Sequence, residues 1–137
     1  MSRYKEYIDG GRLLEIHDAD TLIIAWDLGA KTWIRPEKIR INGLDAPESA
    51  TLAGKAATAY TTQWFAEHCP TGVFTLRTLK IDRKKVDALP LEKQEKFGRY
   101  LGVVIAADGH CLNDDLIATG NAKPWKGRGA KPWGADD

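Results

Sequence analysis

The chain has 137 residues, 43% of them hydrophobic and 28% charged, with 20 basic against 19 acidic side chains. That length suits one compact domain able to bury its own core, and the composition excludes a disordered or fibrous chain. No apolar run reaches membrane-spanning length, and the opening Met1-Ser2-Arg3-Tyr4-Lys5-Glu6 lacks the apolar stretch of a secretory signal, so a cytoplasmic protein without a membrane partner is expected.

In chain order, Gly10-Gly11 separates a polar start from a short strand over Arg12–His17. Asp18-Ala19-Asp20 reads as a turn, and Thr21–Leu28 as a second strand rich in Ile, Leu and Trp. Gly29-Ala30-Lys31 reads as a hairpin connection into a third strand over Trp33–Leu44, where Pro36 removes a ladder donor and predicts an edge or a bulge. Thr51–His68 carries helical spacing, with Ala53, Ala56, Ala57, Tyr60 and Trp64 as its expected buried stripe, and Pro70 and Gly72 stop it. Val73–Ile81 is a fourth strand, Arg83–Lys96 a polar loop, and Tyr100–Ala107 a fifth strand ending at an Asp108-Gly109 turn. Leu112–Thr119 is a short helix with Gly120 placed to cap it, followed by a tail expected to be irregular. Three strands, a helix, two strands and a helix predict an α+β fold: a five-stranded OB-type barrel with two or three flanking helices, residues 1–137 forming one domain with a core over 11–122 and a tail over 123–137.

Carboxylates cluster in two places. Asp18 and Asp20, two residues apart, point to one side of an extended chain and offer the oxygen donors that hard cations prefer. Arg40-Ile41-Asn42-Gly43-Leu44-Asp45-Ala46-Pro47-Glu48 places a guanidinium and two carboxylates in one short stretch, a set able to bind a cation, activate water and hold a phosphate. Strict alternation puts Asp45 on the face of Ile39 and Ile41 and Arg40 on the other, so convergence of Arg40 with Asp45 requires a bend near Gly43. Phe97-Gly98-Arg99 adds a cation at a tight turn before the fifth strand. His17, His68 and His110 lack metal-ligand spacing. Cys69 and Cys111 lack a paired motif and read as reduced thiols, in keeping with a cytoplasmic protein.

Asp18-Ala19-Asp20-Thr21, then Arg40 through Glu48, then Phe97-Gly98-Arg99, then the helix from Leu112-Asn113 to Gly120 resemble, in order, the motifs of the thermonuclease family. Ala19 stands where that family has glycine, and Phe97 where it has tyrosine. The resemblance covers residues 11–122 and implies a calcium-dependent nuclease that hydrolyses phosphodiester bonds in DNA, with RNA left open. It implies that Asp20 and Asp45 hold one calcium ion with the backbone carbonyl of Ala46, with Asp18 and Thr21 just behind them. Glu48 would act as general base, and Arg40 and Arg99 would hold the phosphate and stabilise its developing charge. The donor chemistry agrees, because oxygen-only ligands suit calcium or magnesium rather than zinc.

Nucleic-acid contacts are expected from Lys84, Lys85, Phe97 and Trp125. The tail from Asn121 to Gly134 carries Lys123, Lys126, Arg128 and Lys131 with no acidic residue, and interleaves Trp125 and Trp133. Indole rings beside cations are the composition of a single-strand platform, expected to line a substrate groove without touching the chemistry. Packing of both rings on the barrel is the competing reading. A non-catalytic nucleic-acid-binding barrel and a protein-interaction module are the rival functions, and the presence of all the acidic and arginine positions favours catalysis.

Overall fold

The computed structural model describes residues 4–79, 100–126 and 130–133. Strands β1 (Tyr4–Asp18), β2 (Thr21–Gly29), β3 (Thr32–Ile41), β5 (Val73–Leu79) and β6 (Tyr100–Ile105) close a five-stranded barrel in the order β1-β2-β3-β6-β5. All pairings are antiparallel except β3 with β6. Two helices are described, α1 (Leu52–His68) between β3 and β5 and α2 (Leu112–Ala118) after β6. This is the OB-type α+β barrel that the order of elements predicts. Among the described residues, no helix is long and apolar enough to cross a membrane.

Alternation builds the core. Leu22, Ile24 and Trp26 of β2, Ile39 and Ile41 of β3, Phe74 and Leu76 of β5 and Val104 of β6 all turn inward and are buried. Each such large side chain contributes about 1.5–3 kcal/mol relative to exposure. Leu112 and Leu116 of α2 and Trp64 and Phe65 of α1 cover the barrel from outside and join the same cluster.

The first strand is longer than the sequence suggests. It begins at Tyr4 and runs through Gly10-Gly11, pairing with β5 on its first half and β2 on its second. The glycines are a bend within the strand, not a boundary: a side chain on Gly11 would sit 2.3 Å from the Phe74 ring. Pro36 lies at the expected bulge. The register passes from Ile24↔Glu37 to Trp26↔Ile34, so β3 holds one residue more than β2 there.

The third strand ends earlier than expected, at Ile41. Asn42-Gly43 forms a turn, with Gly43 at φ +85°, and Leu44–Asp45 starts a separate strand, β4. Its partner is β7 (Lys123–Pro124), so the start of the expected irregular tail is a strand paired as Leu44↔Pro124 and Asp45↔Lys123.

Helix α1 is present, but its buried face keeps only part of the expected stripe, Ala57 and Trp64 with Tyr60 half-buried. Ala53 and Ala56 are exposed, while Gly54, Ala57, Thr61, Trp64 and Phe65 face inward. Two polar contacts set this rotation. A side chain on Gly54 would lie 1.6 Å from the Glu48 carbonyl oxygen, so only glycine fits. The Thr61 hydroxyl donates to the Ala19 carbonyl at 3.1 Å. Thr51 caps the helix, accepting from the Gly54 N–H at 2.9 Å and donating to the Glu48 carbonyl at 2.7 Å.

Asn113 joins α2 to the barrel. Its Oδ1 accepts from the Val104 N–H at 3.1 Å, and its Nδ2 donates to the carbonyls of Asn42 at 2.9 Å and Gly102 at 3.1 Å. Asn113→Ala removes all three bonds at a buried position, and unsatisfied buried groups cost roughly 1–3 kcal/mol each, so a loss of about 2–4 kcal/mol is expected. The urea midpoint should fall with little change in slope. A midpoint equal to wild type would show that the amide does not anchor the Asn42 turn.

Candidate active site

The β2–β3 ladder places the first acidic segment beside the second. Thr21 pairs with Arg40, and the Ile41 N–H donates to the Asp20 carbonyl at 2.8 Å. Ile39 and Ile41 are fully buried, which turns Arg40 to the outer face. The turn at Gly43 supplies the required bend, and β4 brings Asp45 back to that face. One Arg40 nitrogen, Nη2, then lies 3.6 Å from both Asp20 Oδ2 and Asp45 Oδ1. The two carboxylates are 25 positions apart in the sequence and share one guanidinium nitrogen.

Both acids are buried, Asp20 at 6% and Asp45 at 4% exposure. Asp20 accepts from the Thr21 hydroxyl at 3.2 Å and from the Ala46 N–H at 3.1 Å. Asp45 Oδ2 accepts a long bond from the Trp133 N–H at 3.4 Å. Burial raises the Asp45 carboxyl above its ordinary value. The Trp133 N–H, Lys131 and Arg40 pull it down, and the charge of Asp20 pushes it up. Asp18 is raised from 3.8 to about 7, first by burial, then by its hydrogen bond to Asp20 and the charge there, against the Thr21 hydroxyl.

Two carboxylates thus meet one arginine, and Asp18 adjoins Asp20. Asp18 Oδ1 and Arg40 Nη2 are both buried without a hydrogen-bond partner. Carboxylate oxygens are the donors a hard cation takes, and a guanidinium N–H without a hydrogen bond suits an anion. The oxygen donors of Asp20 and Asp45 are of the kind a calcium-class ion takes, and the Arg40 guanidinium is of the kind that pairs with a phosphate.

The other expected site residues divide. The described contact of Ala46 is through its N–H to Asp20. The Glu48 backbone is fixed, its carbonyl accepting from the Thr51 N–H at 3.0 Å, while its side chain is exposed and has no partner among the described residues. Lys84, Lys85, Phe97 and Arg99 lie outside the described residues. Cys69 is buried and its thiol is pushed up to about 11, chiefly by burial, which removes it as a nucleophile.

The tail lies on the site itself. The Trp125 N–H donates to the Gly43 carbonyl at 2.9 Å, and the Arg40 guanidinium carbon stands 5.3 Å from the Trp125 ring centre. Lys131 Nζ stands 5.8 Å from the centre of the same ring, and Lys123 Nζ stands 4.2 Å from the Trp133 ring centre. The expectation that the tail stays clear of the chemistry is corrected: Trp125 touches Arg40, and the Trp133 N–H touches Asp45. Sequence reasoning also missed Thr61, which anchors the Asp18–Asp20 turn through Ala19, because a threonine in a helix carries no sign of the distant carbonyl it meets.

The family model for staphylococcal nuclease homologues matches residues 38–131, more than half of the chain. The chain belongs to this family. None of the curated proteins matches it. The matched segment holds Arg40, Asp45 and Glu48 and extends into the tail as far as Lys131. Asp18 and Asp20 precede it, and the ladder with β3 ties them to it. As a nuclease-family domain, the chain carries its acidic residues where this barrel meets its tail.

The Asp18 shift has a definite sign. From about pH 4 to about pH 7 the folded protein keeps a proton that the unfolded chain has released, so stability falls as pH rises through that window. Asp18→Asn imitates the protonated form. In chelator, its Tm should exceed that of wild type at pH 8, with the difference shrinking by pH 4. Equal Tm values at pH 8 would show that the Asp18 charge is not strained.

Proposed function

We propose that this nuclease-family domain is a calcium-dependent phosphodiesterase acting on DNA, with RNA as a further candidate substrate. The observation that carries the reading is Arg40, whose buried, unpartnered Nη2 stands between two buried carboxylates. Charge-assisted hydrogen bonds from a guanidinium to a carboxylate are shorter, at about 2.7–2.9 Å. Arg40 Nη2 stays at 3.6 Å on both sides, which suits a guanidinium kept for a third, anionic partner.

In this proposal Asp20 and Asp45, with the Ala46 carbonyl, hold one calcium ion, and Asp18 and Thr21 orient Asp20. The bound ion would supply positive charge to mask the phosphodiester and so admit an anionic or polarised nucleophile. Arg40 and Arg99 hold the non-bridging phosphate oxygens and stabilise the charge that grows on them as water attacks. Glu48 takes the proton from that water. Its exposed side chain on a backbone pinned by the α1 cap is free to turn toward substrate from a fixed origin. Lys84, Lys85 and Phe97 extend the contact to the nucleic acid. Trp125 stacks a base on the ring that also flanks Arg40. We further propose that residues 1–137 act as one domain, and the free Cys69 and Cys111 suit a reducing cytoplasm.

Incubation of the purified protein with single- and double-stranded DNA and RNA, in calcium, magnesium or chelator, tests the reading. Cleavage should require metal and be fastest with calcium. Undiminished cleavage in excess chelator would overturn the metal assignment, and saturable binding without cleavage would establish the non-catalytic alternative. Glu48→Gln should lower kcat by about 10²–10⁴-fold, the usual range for a lost general base. Arg40→Lys keeps charge but loses the planar fork, and should also be severely impaired. Wild-type rates in folded Glu48→Gln and Arg40→Lys would remove both from the catalytic machinery.

Trp125→Ala gives a separate test. Loss of one base stack is worth about 1–3 kcal/mol, so KM for a long single strand should rise roughly ten-fold or more. Because the ring also flanks Arg40, kcat on a minimal dinucleotide ester should fall as well. An unchanged KM with a sharply lower Tm would make Trp125 a packing residue alone.

A further inference from the structure

The histidines show no metal-ligand spacing in the sequence, yet the fold stacks two of them. His68, the last residue of α1, and His110, in the turn before α2, lie with ring centres 4.1 Å apart and planes inclined by 23°. One donor atom from each of His68, His110 and Asp115 falls within 4.8 Å of the others. None of these residues belongs to the site around Arg40.

The surroundings of the rings favour a ligand rather than an idle stack. His68 Nδ1 lies 2.6 Å from Asp108 Oδ2, and His110 Nδ1 lies 3.0 Å from Asp115 Oδ2. For His68, an Nδ1–H donated to Asp108 leaves the lone pair on Nε2, the orientation in which carboxylate–histidine pairs present nitrogen to a metal. Asp115 is itself positioned from the core: the indole N–H of the buried Trp64 donates to its Oδ2 at 2.8 Å. His110 Nδ1 and Asp115 Oδ2, 3.0 Å apart, are spaced as two ligands of one ion that takes the place of the proton between them.

We propose that His68, His110 and Asp115 form a second metal site, selective for a borderline divalent ion such as zinc, with Asp108 and Trp64 orienting the ligands. Two nitrogens and one oxygen suit zinc, copper or nickel rather than calcium, which takes oxygen donors. Zinc–nitrogen bonds of about 2.0–2.1 Å place tetrahedral ligand atoms roughly 3.3 Å apart, so the donors must draw together. The exposed His110 supplies that movement by side-chain rotation. The ion would join the end of α1 to the start of α2, two elements that otherwise meet here through side-chain hydrogen bonds.

The test is zinc titration of the full chain in excess calcium, read by calorimetry and by nitrogen-15 shifts of the imidazoles. One zinc ion per chain should bind, shift the His68 and His110 resonances while leaving the exposed His17 unmoved, and raise Tm by several degrees. Cobalt in place of zinc should give the visible absorption of a low-coordinate site. His110→Ala, at an exposed position, should fold and bind zinc at least ten-fold more weakly. Asp115→Asn should also bind weakly while keeping an acceptor for the Trp64 indole. Absence of saturable binding, a response centred on His17, or wild-type affinity in a folded His110→Ala would each overturn the proposal. Nuclease activity enters none of these readouts.

Discussion

Asp20 and Asp45 share a single guanidinium, Asp18 adjoins Asp20, and much of the surrounding structure serves to hold that arrangement. Like charges at low exposure repel strongly, and one arginine cannot offset three acids. The effect is visible in Asp18, raised to about 7, and in Asp45, raised by burial and by Asp20. What prevents the acids from turning away is backbone. The Asp20 carbonyl is locked into the ladder by Ile41, its carboxylate by the Ala46 N–H, and Asp45 by the strand pairing of β4 with β7. Beneath them Leu22, Ile39, Ile41 and Leu44 are almost wholly buried, so the strands cannot rotate the acids outward without exposing core.

The helices contribute to the same end from behind. Thr61 of α1 holds the Ala19 carbonyl between two of the acids, and Asn113 of α2 holds the Asn42 carbonyl just before the turn that delivers the third. Ala19 is fully buried, and its side chain is part of the core cluster. A position where the family resemblance implies glycine therefore accepts a methyl group because the barrel has room to bury it. The unusual residue is absorbed by packing, and the carboxylates on either side keep their places.

The sequence carried the parts of this that depend on local periodicity and turn chemistry. The second strand, the hairpin at Gly29-Ala30-Lys31, the bulge at Pro36 and the bend at Gly43 follow from alternation and from residues with restricted or permissive backbones. The convergence of Arg40 with Asp45 followed from that bend. Features set by distant partners were illegible. The α1 face is chosen by Gly54 against Glu48 and Thr61 against Ala19, neither of which an apolar pattern can register. The strand Lys123–Pro124 contains a proline and a lysine, and exists only because β4 offers it an edge. The stacking of His68 on His110 joins residues 42 positions apart with no shared motif.

The tail changes how the site can work. Strand β4 has β7 as its described partner, so the backbone of Asp45 rests on Lys123, and the turn before it rests on the Trp125 N–H. The same tryptophan offers its ring to Arg40, and Trp133 offers its N–H to Asp45. Both indole Nε1 atoms are buried without a hydrogen-bond partner. An indole N–H can only donate, so each is left unsatisfied where it is buried. A strand of nucleic acid meeting this surface would touch cations and rings on the very segment that fixes Asp45 and flanks Arg40. Tail and acidic site thus share one scaffold, so a contact made on the tail bears on the segment that holds Asp45.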